Sequence, residues 1–303
     1  MSTETHVVET LGHQPVMPDE VIEILNPTRG GLFVDCTVGG GGHARALLEA
    51  GAGRIVALDR DGEALPLAAR VLDSWSEQVE LVHTDFRHID RVLDERGIVT
   101  IDGALADLGM SSIQLEAADR GFSFRRDEPL DMRMDRSTGL SAADLLREVS
   151  ETTLADHIYQ FGEERYSRRI ARAIVDARAR APLATTGQLA SIVRRAVPRG
   201  HRRIDPATRT FQALRIWVNR ELEGLEEFVR SVSLRLRTGA RLVVLTFHSL
   251  EDRIVKYAFR KLQLDSDINM RVLTKHPLRP GSDEVSSNRR ARSAKLRAAE
   301  RLP

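Results

Sequence analysis

The sequence predicts an α/β fold: a parallel, Rossmann-like sheet interrupted after its fourth strand by an all-helical insertion. Three observations predict it. Short apolar runs alternate with helical patterns at βαβ spacing through the first third of the chain. The alternation stops after Asp107. A strongly apolar run then returns at residues 241–247, after a long stretch with helical periodicity only.

Residues 31–35 read as a buried strand entering a glycine loop, and residues 54–59 as a second strand ending in an acid. Residues 79–83 form a weaker third strand and residues 101–107 a fourth, again ending in an acid. Helical patterns at 44–50, 63–72 and 89–95 separate them. Right-handed crossovers place all these strand ends on one edge, where such sheets bind ligands. Between 114 and 203 no strand is evident. Residues 141–149 (Ser141 as N-cap), 167–180 and 186–197 (stopped by Pro198) read as helices. One long helix is expected after Asp205-Pro206, running through Val229 and ending at Thr238-Gly239. A further strand is expected near 268–273. The tail, residues 288–301, carries six basic residues and one acid and reads as a helix or a disordered basic arm. The domain boundaries expected from this are 1–113 with 207–303, and 114–206 for the insertion.

With 303 residues, 42% of them hydrophobic, the chain can bury a substantial core. It has no apolar run long enough to span a bilayer. The polar stretch 1–14 lacks the apolar core of a secretory signal, and the one cysteine, Cys36, excludes an internal disulfide or a multi-cysteine zinc site. No paired metal-ligand spacing is visible among the nine histidines. A cytoplasmic protein without a membrane partner or metal is expected; the oligomeric state stays open. The net charge of +1 hides an asymmetry: residues 1–120 carry a balance of −12, 121–164 of −5, 165–215 of +11 and 216–303 of +7. A basic second half suits a polyanion partner. An arginine-rich composition with a solvated helical face accounts for the same numbers, since only four lysines occur.

Gly39-Gly40-Gly41-Gly42-His43 follows the first strand and opens a helix, where free amides and a tight turn suit a ligand. Asp59 ends the second strand, 24 residues after Asp35, where an acid accepts ribose hydroxyls. Together they read as an adenosine site. The G-x-G-x-x-G/A pattern is met only loosely, so a nicotinamide oxidoreductase has little support. Asp35, before the glycines, suits the ammonium group of a methionine moiety, which S-adenosylmethionine carries. Cys36 sits at this cofactor end and reads as a small packing residue, not the nucleophile of covalent C5 chemistry.

Asp107-Leu108-Gly109-Met110-Ser111 follows the fourth strand. Methylation of cytosine's exocyclic amine needs an acceptor for its N–H bonds, because the lone pair is delocalised into the ring, and needs nitrogen, methyl and sulfur held in line. Asp107 is placed for that role, or contacts the cofactor only. The Asp-Pro-Pro-Tyr pattern of other amino-methyltransferases is matched only in its acid.

Several stretches together resemble one family, the bacterial ribosomal RNA small subunit methyltransferase H (MraW) family of 16S rRNA cytosine-N4-methyltransferases. They are His13-Gln14-Pro15-Val16-Met17, Gly41-Gly42-His43, Asp59-Arg60-Asp61, Asp107 through Ser112, Arg120 through Phe124 and Pro129 through Asp135. Gly162 through Arg165, Pro206 through Ala213, Arg215 through Asn219 and Phe247 through Arg253 continue the match over nearly the whole chain. The resemblance implies a class I methyltransferase sheet, S-adenosylmethionine as donor, and N4 of a cytidine in the decoding region of 16S rRNA, within the small ribosomal subunit, as target. By position it implies cofactor contacts at Gly41, Gly42, His43, Asp59, Phe86, Asp107 and Gln114. Candidate catalytic residues are Asp107, Ser111, which bonds the base or only shapes its loop, and His248, which lines the cytidine pocket or caps the next helix through Ser249 and Asp252. Phe122 and Phe124 stack on RNA or pack the insertion. The target base must be unstacked to react, with Arg168, Arg169, Arg172, Arg202 and Arg203 as candidate RNA contacts. A DNA or other RNA amino-methyltransferase and a non-catalytic ribosome-assembly factor are the competing readings.

Overall fold

The computed structural model describes residues 14–111, 114, 118–198, 204–265 and 267–303. It divides into two compact units, one reaching residue 112 and resuming at Leu222, the other Ile113–Glu221.

The first unit is built on strands β1 (Leu32–Asp35), β2 (Arg54–Asp59), β3 (Val79–His83), β4 (Ile101–Asp107), β5 (Leu236–Thr246), β6 (Met270–Val272) and β7 (Lys295–Arg301). They form one sheet of order β3-β2-β1-β4-β5-β7-β6. The first five are mutually parallel, and β7 runs antiparallel to both β5 and β6. Side chains alternate between two cores. Val34, Val56, Leu58, Leu242 and Val244 face α4 (Ile89–Glu95), α10 (Leu225–Arg235) and α11 (Ser249–Gln263). Phe33, Ile55, Leu105, Val243 and Leu245 face α1 (Pro18–Leu25), α2 (Gly42–Glu49) and α3 (Leu65–Val71). A sheet buried on both faces needs apolar residues at successive positions, which is why its strands read as continuous runs.

Two expectations fail here. The single helix after Pro206 is two helices, α9 (Ala207–Asn219) and α10, separated by left-handed residues Arg220 (φ 51°) and Gly224 (φ 68°). The apolar periodicity persists across the break, so the pattern hides it. The basic tail is neither helix nor arm but contains β7, between β5 and β6. Its charges are compensated in place: Asp252 receives Arg297 Nε at 2.6 Å and Lys295 Nζ at 2.9 Å, and Glu300 receives Arg241 and Arg271.

The regular elements described in the second unit are α5 (Ala142–Glu148), α6 (Glu151–Gly162), α7 (Ser167–Arg178), α8 (Thr186–Ala196) and α9. Ser141 caps α5 through a capping box with Asp144. Helix α9 belongs with these helices, so this unit extends past the expected 206. Gly162 permits that packing: a Cβ there would lie 2.5 Å from the Arg209 carbonyl oxygen. Phe122 is buried, and Phe124 stands edge-on to Phe211 at 4.8 Å, so both aromatics pack within this unit.

Candidate active site

β1 ends two residues earlier than its neighbours. Asp35 is level with Ala57 and Leu105, so β2 and β4 project past it to end at Asp59 and Asp107. The strand order also reverses here, with β2 on one side of β1 and β4 on the other. That is the crevice where open α/β sheets hold ligands. The glycine loop fills the notch. Cys36 N–H donates to Leu105 O and Val38 N–H to Leu58 O, tying the loop to both flanking strands. Gly41 takes φ 87° as N-cap of α2, a conformation only glycine adopts without strain.

Three carboxylates meet at this edge. Asp35 is fully buried; its Oδ1 accepts the Thr37 amide, while Oδ2 is buried with no hydrogen-bond partner. Burial pushes its pKa up to about 7, opposed by the Thr37 bond and reinforced by the charges of Asp107 and Asp59. Asp59 accepts Gly39 N–H at 2.7 Å and Asp61 N–H at 2.8 Å, so it shapes the glycine loop directly; burial outweighs these bonds and raises its pKa to about 6. Asp107 is 7% exposed. Its backbone N–H donates to Thr37 Oγ1 at 2.6 Å, and its Oδ2 lies 3.8 Å from both His43 Nε2 and Arg290 Nη2. Burial pushes the Cys36 thiol well up, Asp35's charge adding to it, which leaves this sulfur inert and agrees with its reading as a packing residue.

Phe86 follows β3 in a short turn capped by Asp85, edge-on to Phe228 at 4.6 Å. Gly41, Gly42, His43, Asp59, Phe86, Asp107 and the buried Ser111 all belong to the first unit; Gln114, also buried, belongs to the second. His248 is the N-cap of α11, in a capping box with Glu251, one residue earlier than the expected Ser249–Asp252 pair. Its Nδ1 accepts the Glu251 amide at 3.5 Å, and its Nε2 lies 3.0 Å from Glu251 Oε1, so the geometry supports capping. Arg168, Arg169 and Arg172 are exposed on α7, with Arg172 paired to Glu151; Arg202, Arg203 and His13 lie outside the described residues.

The sequence reading missed Thr37, Arg290 and Phe247. The Phe247 ring, past the end of β5, lies 2.6 Å from where a Cβ on Gly109 would stand. An aromatic ring does stand against the Asp107 loop, then, but it comes from a different strand. A cleft of about 530 Å³ beside α11 and β6 was also missed; Lys256, Arg260, Lys275 and His276 line it, over Phe259 and Val272.

A model of the MraW methylase family matches residues 10–302. The chain belongs to that family. A ribosomal RNA small subunit methyltransferase H from Syntrophotalea carbinolica is 51% identical over 311 residues, covering 97% of this chain and 99% of the relative. The protein of that name from a Cyanothece species is 52% identical over 291 residues, covering 96% and 95%, and that from Thermotoga neapolitana 49% over 294 residues, covering 95% of each. As a MraW methylase the protein is an enzyme, a methyltransferase, with S-adenosylmethionine as its cofactor. The residues present fit that donor. The unpartnered Asp35 Oδ2 suits an ammonium, and the Asp59 oxygens keep lone pairs for hydroxyls beyond the two amides they accept. Among the described residues no helix is long and apolar enough to cross a membrane.

Proposed function

We propose that the protein methylates N4 of a cytidine in the decoding region of 16S rRNA, in the small ribosomal subunit. The observation that carries the reading is Asp107: a buried carboxylate at the strand-order reversal, with its backbone fixed by Thr37 and two basic groups 3.8 Å from one oxygen. The relatives' name supports rRNA of the small subunit as substrate. Bound S-adenosylmethionine would supply an electrophilic methyl group on a sulfonium whose sulfur keeps the methyl–sulfur electron pair and leaves as a neutral thioether. Asp107 accepts an N–H of the cytosine amine, which draws the nitrogen lone pair out of ring conjugation, and takes the proton as the N–C bond forms. Gly41, Gly42, His43, Asp59 and Phe86 hold the donor in this reading. Ser111 shares the Asp107 loop and faces the base. The helical unit recognises substrate, with Arg168 and Arg169 as phosphate contacts.

The test is transfer of labelled methyl from S-adenosylmethionine to small subunits from a strain lacking the homologous enzyme, followed by nucleoside mass spectrometry. N4-methylcytidine appearing only with active protein is expected. Label on DNA, on another base, or nowhere despite donor binding refutes the reading.

A further inference from the structure

The three clustered cations of the tail, Arg289, Arg290 and Arg292, do not behave alike. Arg289 and Arg292 are exposed. Arg290 is turned inward: its side chain is 11% exposed, and Nη2 reaches to 3.8 Å from Asp107 Oδ2. The loop that does this is pinned at Asn288, whose Oδ1 accepts the Arg290 amide while its Nδ2 donates to the Gln14 carbonyl. A second tie runs from the Met17 amide to Glu284. Pro15, in the same N-terminal stretch, lies against Gly42 at the start of α2, 3.1 Å from a Cβ built there. Residues 14–17 and 284–290 thus meet beside the glycine loop, and Arg290 is carried with them.

The guanidinium is incompletely satisfied. Nη1 is buried and has no hydrogen-bond partner. A buried, unpaired N–H on a permanent cation is costly, more so than on a neutral group. A neighbouring site holds the opposite charge in the same condition: Asp35 Oδ2, buried, unpartnered and electrostatically coupled to the same Asp107. An orphaned acid and an orphaned guanidinium around one carboxylate match a zwitterion.

We infer that Arg290 is an anion-binding residue of the methyl-transfer site, its Nη1 donating to an anionic oxygen of a bound reactant. The geometry favours the α-carboxylate of the donor's methionine moiety, opposite the ammonium that Asp35 receives. A phosphate of the target nucleotide offers the same chemistry. The inference rests on reading this edge as the methyl-transfer site.

Calorimetric titration separates these cases, with S-adenosylmethionine and its decarboxylated analogue as probes on wild type, Arg290→Met and Arg290→Lys. Wild type is expected to bind the carboxylate-bearing donor about tenfold or more tightly than the analogue, the scale of a charge-assisted hydrogen bond. Arg290→Met closes that gap, and Arg290→Lys restores part of it. If the phosphate is the anion, donor affinities hold in Arg290→Met while KM for small subunits rises about tenfold. If Arg290→Met retains both donor selectivity and subunit KM, Arg290 only neutralises Asp107 and the inference is overturned. Should Arg290→Met fail to fold, the wild-type comparison and Arg290→Lys still decide. Failure of wild type to bind the donor at all overturns the active-site reading itself, a distinct result.

Discussion

At neutral pH Asp35 holds a proton about half of the time, because its pKa stands near 7 in the folded chain. The unfolded value is near 3.8, so protonation favours the fold. The stability this group contributes is complete below pH 3.8 and is lost as pH rises through about 7. Donor binding runs the other way, since an ammonium needs the ionised carboxylate. Affinity for S-adenosylmethionine is therefore expected to rise by up to about tenfold per pH unit between pH 5.5 and 7, then flatten. Above about 8 the donor's own α-amino group loses its proton, which closes the window. Calorimetry of wild type and Asp35→Asn across this range checks it: the variant should bind weakly and keep only the shallower slope that Asp59, with its pKa near 6, contributes, and a slope as steep as that of wild type assigns the proton elsewhere. At Asp107 the expected outcome for Asp107→Asn is a fall in kcat of about 10²–10⁴-fold with donor binding retained. Loss of binding along with turnover makes it a cofactor contact instead. The place of Asp35, Asp59 and Asp107 at one sheet edge was legible because each ends an apolar strand run. Arg290 was not, since nothing in a run of six cations says which one turns inward.

The elements that the sequence misreports are those whose constraint comes from a distant partner. Strands β2 and β4 fall on their expected residues because both sheet faces are buried along them, and the half-buried edge strand β3 does so through its apolar Val79, Leu81 and Val82. β7 was hidden by its own charges. Asp252, on α11, removes that objection. Burial works against its ionised form, but the bonds from Arg297 and Lys295 outweigh burial and hold its carboxyl below the usual range. Asp252→Asn strands a nearly buried Arg297 and is expected to cost about 3 kcal/mol in urea unfolding. The stabilisation by Asp252 is present above its unfolded pKa near 3.8 and is lost as pH falls through the lower folded value. A cost below about 1 kcal/mol would mean that β7 is held by its ladder and apolar side chains alone. The break between α9 and α10 is a local matter, set by left-handed backbone at Arg220, which ends α9, and at Gly224, which opens α10. Gly224→Ala meets positive φ and an Arg87 side chain at 3.1 Å, which can swing away. A loss of about 1–2 kcal/mol with unchanged denaturant slope is expected, the backbone term dominating. Most of the long motifs after Ser112 are the second unit's framework. Arg120 donates to the carbonyls of Arg133 and Met134, and Asn219 bonds Met132 and Met134. Resemblance flags such residues, but only the structure shows that they hold a fold together.

Over the whole molecule, the charge asymmetry resolves into two kinds of basic side chain. Many are spent on carboxylates: Arg194 on Asp205, Arg215 on Glu221, Arg235 on Asp90 and Asp94. Others meet no carboxylate among the described residues: Arg168 and Arg169 on α7, and Lys256, Arg260 and Lys275 around the 530 Å³ cleft of the first unit. Unpaired cations on a chain with a net charge of only +1 are a local feature, not a consequence of overall charge. If they contact RNA phosphates, each contact releases counterions, and affinity must fall with salt. The slope of log affinity against log salt should then decrease by about 0.7–0.9 for every phosphate contact removed. Two double reversals, Arg168→Glu with Arg169→Glu and Lys256→Glu with Lys275→Glu, are expected to raise KM for small subunits and flatten this slope by between one and two contacts each. Donor affinity and melting temperature should hold, because none of the four touches the glycine loop or a core. A reversal that leaves slope and KM unchanged identifies its patch as a solvated face. The two patches thus report separately, and one can contact RNA while the other does not.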